Sequence, residues 1–198
     1  GGTALKIIYH SPRFSEDLDF STSNKISLSQ IENLFLETLK KMNEVGAVVN
    51  LQESKKTSGG YLGIFSYEMY DFLGKIQVEI SFRQKNNLSQ ETTTIVSDFL
   101  PVYILIQLSP QLIVKEKILA LEMRRKPRDF YDFYFILRHP ELNKYLDFKK
   151  IKVIKEIILK EEINFKKELE ILLPINHHMV LSNFKKTLLK EIEKQEIK

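Results

Sequence analysis

The hydrophobic period of this chain changes near Leu100, and the change restricts the folds open to it. Before that point, residues 75–83 alternate between apolar and polar side chains, as in a strand with one buried face. After it, apolar residues recur at helical spacing, and two prolines predict helices over residues 110–125 and 127–138. We therefore predict an α+β fold with a sheet-rich first part and a helical second part.

The first part is predicted to hold further strands, two helices and their connections. In chain order these are a helix over residues 3–9, a strand over 13–22, a helix from Ser27 or Ser29 to Gly46, a strand over 47–52, a turn over 55–60 and a hairpin arm over 61–72. Residues 84–100 are predicted to be a connection. From residue 147 onward, three helical segments rich in Lys and Glu are predicted, with breaks near Asn164 and at Pro174.

Two carboxylates lie two residues apart close to the start of the chain. Asp17 and Asp19 alternate with Leu18 and Phe20, so a strand here places both acids on one face. Two like charges near 4 Å repel by about 4 kcal/mol at an effective dielectric of 20, which favours a cation between them. Mg²⁺ suits the pair because it takes one or two carboxylates and completes its shell with water and phosphate oxygens. An Asp-x-Asp pair also occurs at solvated strand ends, so it does not define a site alone.

A Gly-Gly-Thr sequence precedes the two acids. Gly1, Gly2 and Thr3 form a turn ahead of a predicted helix, where close backbone approach and exposed N–H groups suit a phosphate. Such a turn is common elsewhere, but together with the acids it outlines a nucleotide and metal site. The strand over residues 75–83 is either a half-exposed edge strand or a lining of this site. In the second case Glu79 is a third carboxylate, able to ligate metal or accept a proton.

The helical part contributes a lysine and two further acids. Lys117 lies on an apolar stripe and either extends along it to solvent or points towards an anion. Asp129 and Asp132 are three residues apart and share a helix face. Acids in a first helical turn also complement the helix dipole, or pair with a nearby arginine, which could be Arg124, Arg125 or Arg128.

Composition narrows the classes of function. The formal net charge of +4 permits a nucleic-acid partner without requiring one. The sequence contains no cysteine, which excludes disulfides, zinc–thiolate sites and thiol catalysis and indicates a reducing compartment. No apolar run is long enough to cross a membrane and no signal-peptide pattern opens the chain, so we predict a cytoplasmic location without membrane contact.

Two groups of side chains near the C-terminus can be explained without a functional role. His177 and His178 follow a proline in a predicted loop, and without a third ligand nearby we predict no metal role for them. Four lysines form either a solvated helix face or a surface for an RNA backbone. They are Lys185, Lys186, Lys190 and Lys194.

Four ordered elements resemble the AbiEii/AbiGii toxin family of nucleotidyltransferases. They are Gly-Gly-Thr-Ala-Leu, Arg-Phe-Ser-Glu-Asp-Leu-Asp-Phe, Lys-Ile-Gln-Val-Glu-Ile, and Lys117 followed by Arg-Asp-Phe-Tyr-Asp at residues 128–132. The resemblance spans residues 1–137. The family contains toxins of toxin–antitoxin and phage-abortive systems, including the MenT toxins.

The resemblance implies a fold and a reaction. The fold is a DNA polymerase β-like nucleotidyltransferase core, a mixed sheet with flanking helices, over residues 1–105, followed by a helical domain over residues 106–198. The family's opening strand and helix are expected to precede Gly1. The implied reaction is transfer of a nucleotide from a nucleoside triphosphate (NTP) to an acceptor, with release of pyrophosphate and with Mg²⁺ or Mn²⁺ as the cofactor.

The same resemblance implies roles for single residues. The catalytic set is Asp17, Asp19, Glu79, Lys117 and Asp129, of which Asp17, Asp19 and Glu79 bind the metal, while Gly2, Thr3, Arg13 and Lys117 bind the nucleotide and Asp132 supports Asp129. Arg13 steadies either the phosphates or its own loop. Glu79 stands where Asp is commoner in the family.

The acceptor and the activity itself leave alternatives open. By resemblance the acceptor is the 3′ end of a tRNA, and the other candidates are a protein hydroxyl and the cognate antitoxin, which is also an expected partner. A catalytically idle RNA- or partner-binding module of the same fold is the alternative to an enzyme. A metal-dependent nuclease using the same carboxylates is a third hypothesis, in which the Gly-Gly-Thr turn has no evident task.

Overall fold

A computed structural model of the chain describes residues 1–22, 26–82, 88–98 and 100–196. The described residues form two compact units, each discontinuous in sequence. The first consists of Gly1–Thr3 and Ser15–Leu88, and the second of Ala4–Phe14 and Ser89–Lys198. The predicted domain boundary at residue 105 remains a prediction.

The first unit is a four-stranded mixed sheet with one long helix. Its elements are β1 (Asp17–Ser21), α2 (Leu28–Glu44), β2 (Val48–Thr57), β3 (Gly60–Met69) and β4 (Phe72–Ser81), and it also contains the start of helix α1 (Gly2–Ile7). The strand order is β1-β4-β3-β2, in which β1 and β4 are parallel and the other pairs are antiparallel. An α+β fold with a mixed sheet is thereby confirmed.

Helix α2 covers one face of this sheet. Ser27, one of the two predicted N-caps, caps it and also forms a reciprocal capping box with Gln30. Phe35, Leu39 and Met42 pack on a core whose buried members are Ala47, Val49, Phe65 and Val78. Leu34, in contrast, is 56% exposed.

Strand β4 lies between β1 and β3, so the interpretation of residues 75–83 as an edge strand is wrong. Its apolar side chains Ile76, Val78 and Ile80 face the core under α2. Arg83, at the end of the predicted strand, lies outside the described residues. The predicted turn over residues 55–60 is also too long, because β2 continues to Thr57 and β3 begins at Gly60.

The second unit contains a β-hairpin, five α-helices and the part of α1 from Ala4 onward. The hairpin is β5 (Gln90–Ile95) with β6 (Tyr103–Leu108), and the helices are α3 (Pro110–Arg124), α4 (Pro127–Arg138), α5 (Phe148–Lys160), α6 (Phe165–Leu172) and α7 (Phe184–Glu196). The prediction of a plain connection over residues 84–100 is therefore wrong where β5 lies. The three consecutive threonines of β5 favour a strand but show no alternation with apolar residues. Residues 103–106 of β6 are all apolar, so no alternation can be recognised there either.

Helix α4 is the centre of the second unit's core. Eight of its residues are buried, among them Phe130, Phe133 and Ile136, and the other helices and Leu5 of α1 pack around them. His177 and His178, predicted to lie in a loop, belong to the 3₁₀ helix Ile175–Asn183. Among the helices that the structure describes, none combines the length and the apolar character that crossing a bilayer requires.

Candidate functional site

The first group of candidate residues lies on the sheet face opposite α2. Parallel strands β1 and β4 pair Asp17 with Gln77 and Asp19 with Glu79. Paired residues of neighbouring strands point to the same side, and the strands run about 4.8 Å apart. Because Leu18 and Val78 belong to the core under α2, the four polar residues must point away from it. We call Asp17, Asp19, Gln77 and Glu79 the carboxylate face.

A hydrogen bond within the carboxylate face orients one of its acids. The Gln77 side-chain amide donates to Glu79 Oε1 at 2.7 Å. Asp19 and Glu79 are exposed, whereas Asp17 is half-buried. Gln77 was not predicted as a site residue, although the alternation of residues 75–83 placed it on the same side as Glu79.

The Gly-Gly-Thr sequence, which opens α1, packs against the same strand. The Thr3 hydroxyl donates to the backbone carbonyl of Asp17 at 2.6 Å. At Gly1 a Cβ atom would lie 2.1 Å from Asp19 Oδ2, so any side chain there would displace that carboxylate. Gly2 is buried. The structure therefore brings Gly1, Gly2 and Thr3 close to both aspartates, but Gly2 and Thr3 are the first residues of α1 and do not form the predicted turn ahead of a helix.

The oxygen donors of the carboxylate face suit a hard divalent cation. Within the described residues, no group of three or more His, Asp or Glu side chains is arranged to hold a metal ion by itself. The donors are carboxylate oxygens, which hard cations such as Mg²⁺ prefer, and Mg²⁺ needs only one or two of them when phosphate oxygens and water complete its shell. The residues thus fit a cation that arrives with a phosphate ligand, and they do not form a closed cage.

The second group lies in the helical unit and centres on Asp132. This buried carboxylate accepts hydrogen bonds from Arg13 Nε at 2.7 Å and Arg13 Nη2 at 3.0 Å, one to each oxygen. Lys117 Nζ donates to Asp132 Oδ2 at 2.7 Å. Arg13 was predicted in a strand, but it precedes β1 and belongs to the helical unit. We call Arg13, Lys117 and Asp132 the charge cluster.

The surroundings of Asp132 explain its ionisation. It lies on α4 between the buried rings of Tyr131 and Phe133, with 1% of its surface exposed. Burial alone would raise its pKa, but the charges and hydrogen bonds of Lys117 and Arg13 together outweigh that effect. The pKa of Asp132 is therefore held below its usual value, and the group is a carboxylate at neutral pH.

Asp129 has different partners from Asp132, although both lie on α4. It accepts from the backbone N–H of Lys126 at 3.2 Å and from Arg124 Nη2 at 2.6 Å, and it is buried. The first contact satisfies a backbone donor at the helix start, and the second is the arginine pairing that the sequence left as an alternative. Asp129 thus has a structural task that its predicted catalytic role does not require.

The C-terminal lysines divide into two kinds. Lys185 Nζ donates to the carbonyl oxygen of Glu161 at 3.0 Å, just past the end of α5, and Lys194 pairs with Glu191 at 2.8 Å. Lys186 and Lys190 are exposed and lie one turn apart on α7. Only the second pair offers an open cationic surface.

Two solved structures resemble the fold of the chain. The crystal structure of JHP933 from Helicobacter pylori is 20% identical with a TM-score of 0.55, and the match covers 98% of this chain and 84% of that one. A crystal structure of a protein from H. pylori described as a candidate nucleotidyltransferase is 19% identical with a TM-score of 0.55, covering 98% of this chain and 86% of that one. A comparison with curated proteins finds no match.

A match to a family model shows which family the chain belongs to. The model of the nucleotidyl transferase AbiEii toxin, of a type IV toxin–antitoxin system, matches residues 1–196. The matched range includes every residue of the carboxylate face and of the charge cluster. The resemblance stated from the sequence is confirmed, and the chain belongs to the AbiEii nucleotidyl transferase toxin family.

Proposed function

We propose that this protein transfers a nucleotide from an NTP to the 3′ end of a tRNA, releasing pyrophosphate, as the toxin of a toxin–antitoxin system. Membership of the AbiEii family supports both the nucleotidyl transfer and the toxin role. The observation that carries the proposal is the carboxylate face, where Asp19 and Glu79 are paired and Asp17 lies on the same side. A cognate antitoxin is the protein partner that this role implies.

The carboxylate face is the proposed seat of Mg²⁺ or Mn²⁺. Asp17, Asp19 and Glu79 would hold the cation, which when bound lowers the pKa of the attacking hydroxyl and neutralises charge on the leaving pyrophosphate. The protein's own task is to hold these oxygens in place. The Gln77 amide orients Glu79 by a hydrogen bond. The Thr3 hydroxyl joins the start of α1 to β1 by its hydrogen bond to the carbonyl oxygen of Asp17.

The remaining proposed residues act on the nucleotide. Gly2 and Thr3 are proposed to contact the triphosphate at the start of α1, and Lys117 to donate hydrogen bonds to phosphate oxygens. One N–H of the Lys117 ammonium is used on Asp132, which leaves two donors. Asp129 is proposed as the essential acid of the element at residues 128–132, with Asp132 supporting it, and Arg13 is proposed to belong to the nucleotide-binding set.

An RNA acceptor is supported by charge. The exposed Lys186 and Lys190 provide two cations on one helix face, and the chain carries a formal net charge of +4. Contacts to phosphates supply most of the affinity for nucleic acid without fixing its sequence. We propose this face of α7 as a contact for the acceptor's backbone.

The test supplies each reactant separately. The protein is incubated with Mg²⁺, each of the four α-labelled NTPs in turn, and total cellular RNA, with Asp19→Asn in parallel. Glu53→Gln is the matched control, because the strand register places Glu53 on the same sheet face as Asp17. Label in a tRNA-sized band with the wild type and the control, but not with Asp19→Asn, is the expected result.

Three other outcomes would contradict the proposal in different ways. Label on protein would move the acceptor to a polypeptide. Degraded RNA without an NTP requirement would favour the metal-dependent nuclease. No label with intact RNA would favour the idle binding module.

A further inference from the structure

The charge cluster uses its two cations differently. Arg13 is 5% exposed, and its donors point into the protein: Nε and Nη2 bind Asp132, and Nη1 donates to the carbonyl oxygen of Phe14 at 2.7 Å. Lys117 is 12% exposed and makes one hydrogen bond in the cluster. Of the two cations, Lys117 is therefore the one that keeps donors for a ligand.

The backbone around Arg13 is also fixed. The Phe14 N–H donates to the carbonyl oxygen of Leu172 at 2.8 Å, at the end of α6. The loop that carries Arg13 is thus attached to the helical core at the residue that follows it. An arginine held in this way cannot follow a moving ligand.

We propose that Asp132 is a positioning residue, clamped by Arg13, that fixes the Lys117 ammonium for the triphosphate of the NTP, so that Arg13 acts on the nucleotide only through Asp132. This rests on the proposed function to the extent that Lys117 binds phosphate. In this proposal Asp132 acts directly on Lys117, in addition to its proposed support of Asp129.

Two opposing effects decide whether this arrangement favours binding. A lysine side chain loses much rotamer freedom when it is held in one geometry, so an ammonium ordered in advance binds at a lower entropic cost. The negative charge of Asp132, in contrast, weakens the attraction of Lys117 for phosphate. The bidentate Arg13 balances that charge, and the cluster of two cations and one anion keeps a net positive charge. We therefore expect the ordering of the Lys117 ammonium to affect phosphate binding more than the negative charge of Asp132 does.

The sign of one binding measurement separates the two effects. Affinities of Mg²⁺-bound N-methylanthraniloyl derivatives of the four NTPs are measured by fluorescence, without any acceptor. Lys117→Met and Asp132→Asn are each expected to weaken binding of the preferred derivative by about tenfold, within the range seen for coupled residues. If Asp132 only attenuated the charge of Lys117, Asp132→Asn would strengthen binding instead, and the proposal would be overturned.

A double-mutant cycle tests whether Asp132 acts through Lys117. In the Lys117→Met background, Asp132→Asn is expected to change the affinity by less than about twofold, since the group it positions is gone. The double variant removes one cation together with the anion, so it also provides a folded protein if Asp132→Asn alone does not fold. Arg13→Lys keeps the charge but loses the bidentate geometry, and it should weaken binding as Asp132→Asn does.

A control variant removes an ion pair outside the charge cluster. Glu122→Gln breaks another pair on α3, with Lys150, and should leave the affinity unchanged. Full affinity in Arg13→Lys, additive losses in the cycle, or no binding by the wild type would each overturn the proposal. Because no acceptor is present, normal binding without nucleotide transfer would contradict the proposed function and leave this inference standing.

Discussion

Asp19 and Glu79 are partners in the parallel ladder between β1 and β4, so two carboxylates from distant parts of the chain project side by side from one sheet face. Like charges directly opposite each other in a sheet destabilise it. The fold therefore retains an arrangement that costs stability. Such arrangements are expected where a bound cation compensates the repulsion.

Replacing Asp19 tests this interpretation directly. Asp19→Asn should lower nucleotide transfer by about a hundredfold or more, the size of effect seen when one stabilising group is removed from an active site. The fold should be unharmed, because the side chain is exposed. Label transfer and thermal unfolding are measured together. Activity within a few-fold of the wild type, or a large drop in melting temperature, would contradict the prediction.

Gln77 offers a test of the support given to Glu79. Gln77→Met has similar bulk but cannot donate to Glu79 Oε1, so Glu79 loses its fixed orientation. Groups that orient a metal ligand typically contribute 10- to 100-fold to metal affinity, and we expect the Mg²⁺ concentration for half-maximal transfer to rise about tenfold. Activity at saturating Mg²⁺ should recover largely. An unchanged Mg²⁺ requirement would show that Glu79 acts without this hydrogen bond.

Much of the fold could be predicted from local pattern. The serine N-cap of α2 and the prolines that open α3 and α4 are local signals, and the helices begin where those residues predict. Strand β1 is shorter than predicted, and the β5–β6 hairpin was missed. The alternation of polar and apolar residues covers only residues 17–20 in β1, and the hairpin strands lack such an alternation altogether.

The candidate site was predictable in part. Spacing alone placed Asp17 and Asp19 on one face, but the pairing of Asp19 with Glu79 depends on the register of strands far apart in sequence, which no local pattern fixes. The contact of Arg13 with Asp132 joins residues 119 positions apart, and it decides what both groups do. Tertiary packing, not composition or period, determines such contacts.

Asp129 can be tested for its structural and catalytic tasks separately. Asp129→Asn keeps an oxygen that can accept from the Lys126 N–H, whereas Asp129→Ala leaves that donor without its partner, at a cost of about 1–2 kcal/mol. The partly exposed Arg124 adds little to the difference. Urea unfolding should therefore show Asp129→Ala as the less stable variant.

Transfer assays on the same two proteins decide the catalytic role of Asp129. If it is the essential acid, both variants should lose activity to a similar extent, because both lack the carboxylate. Recovery of activity in Asp129→Asn, in parallel with stability, would reduce Asp129 to a helix-capping residue.

The low pKa of Asp132 predicts how stability depends on pH. The group's usual value is 3.8, and Lys117 and Arg13 hold the pKa of the folded state below it despite the cost of burial. The unfolded chain therefore takes up a proton at this group before the folded protein does. The stabilisation is complete above about pH 4 and is lost as the pH falls through the pKa of the folded state.

The measurement compares the wild type with Asp132→Asn by urea unfolding from pH 6 down to pH 2.5. The wild type should lose stability more steeply below about pH 4, by up to about 1.4 kcal/mol per pH unit, the limit for one proton. The variant is less stable at neutral pH, because two buried cations lose their partner, so the slopes are compared and not the absolute values. The difference in slope should persist in added salt, since a buried cluster is screened far less than exposed charges. Equal slopes in the two proteins would mean that Asp132 is not held as a carboxylate by its two cations.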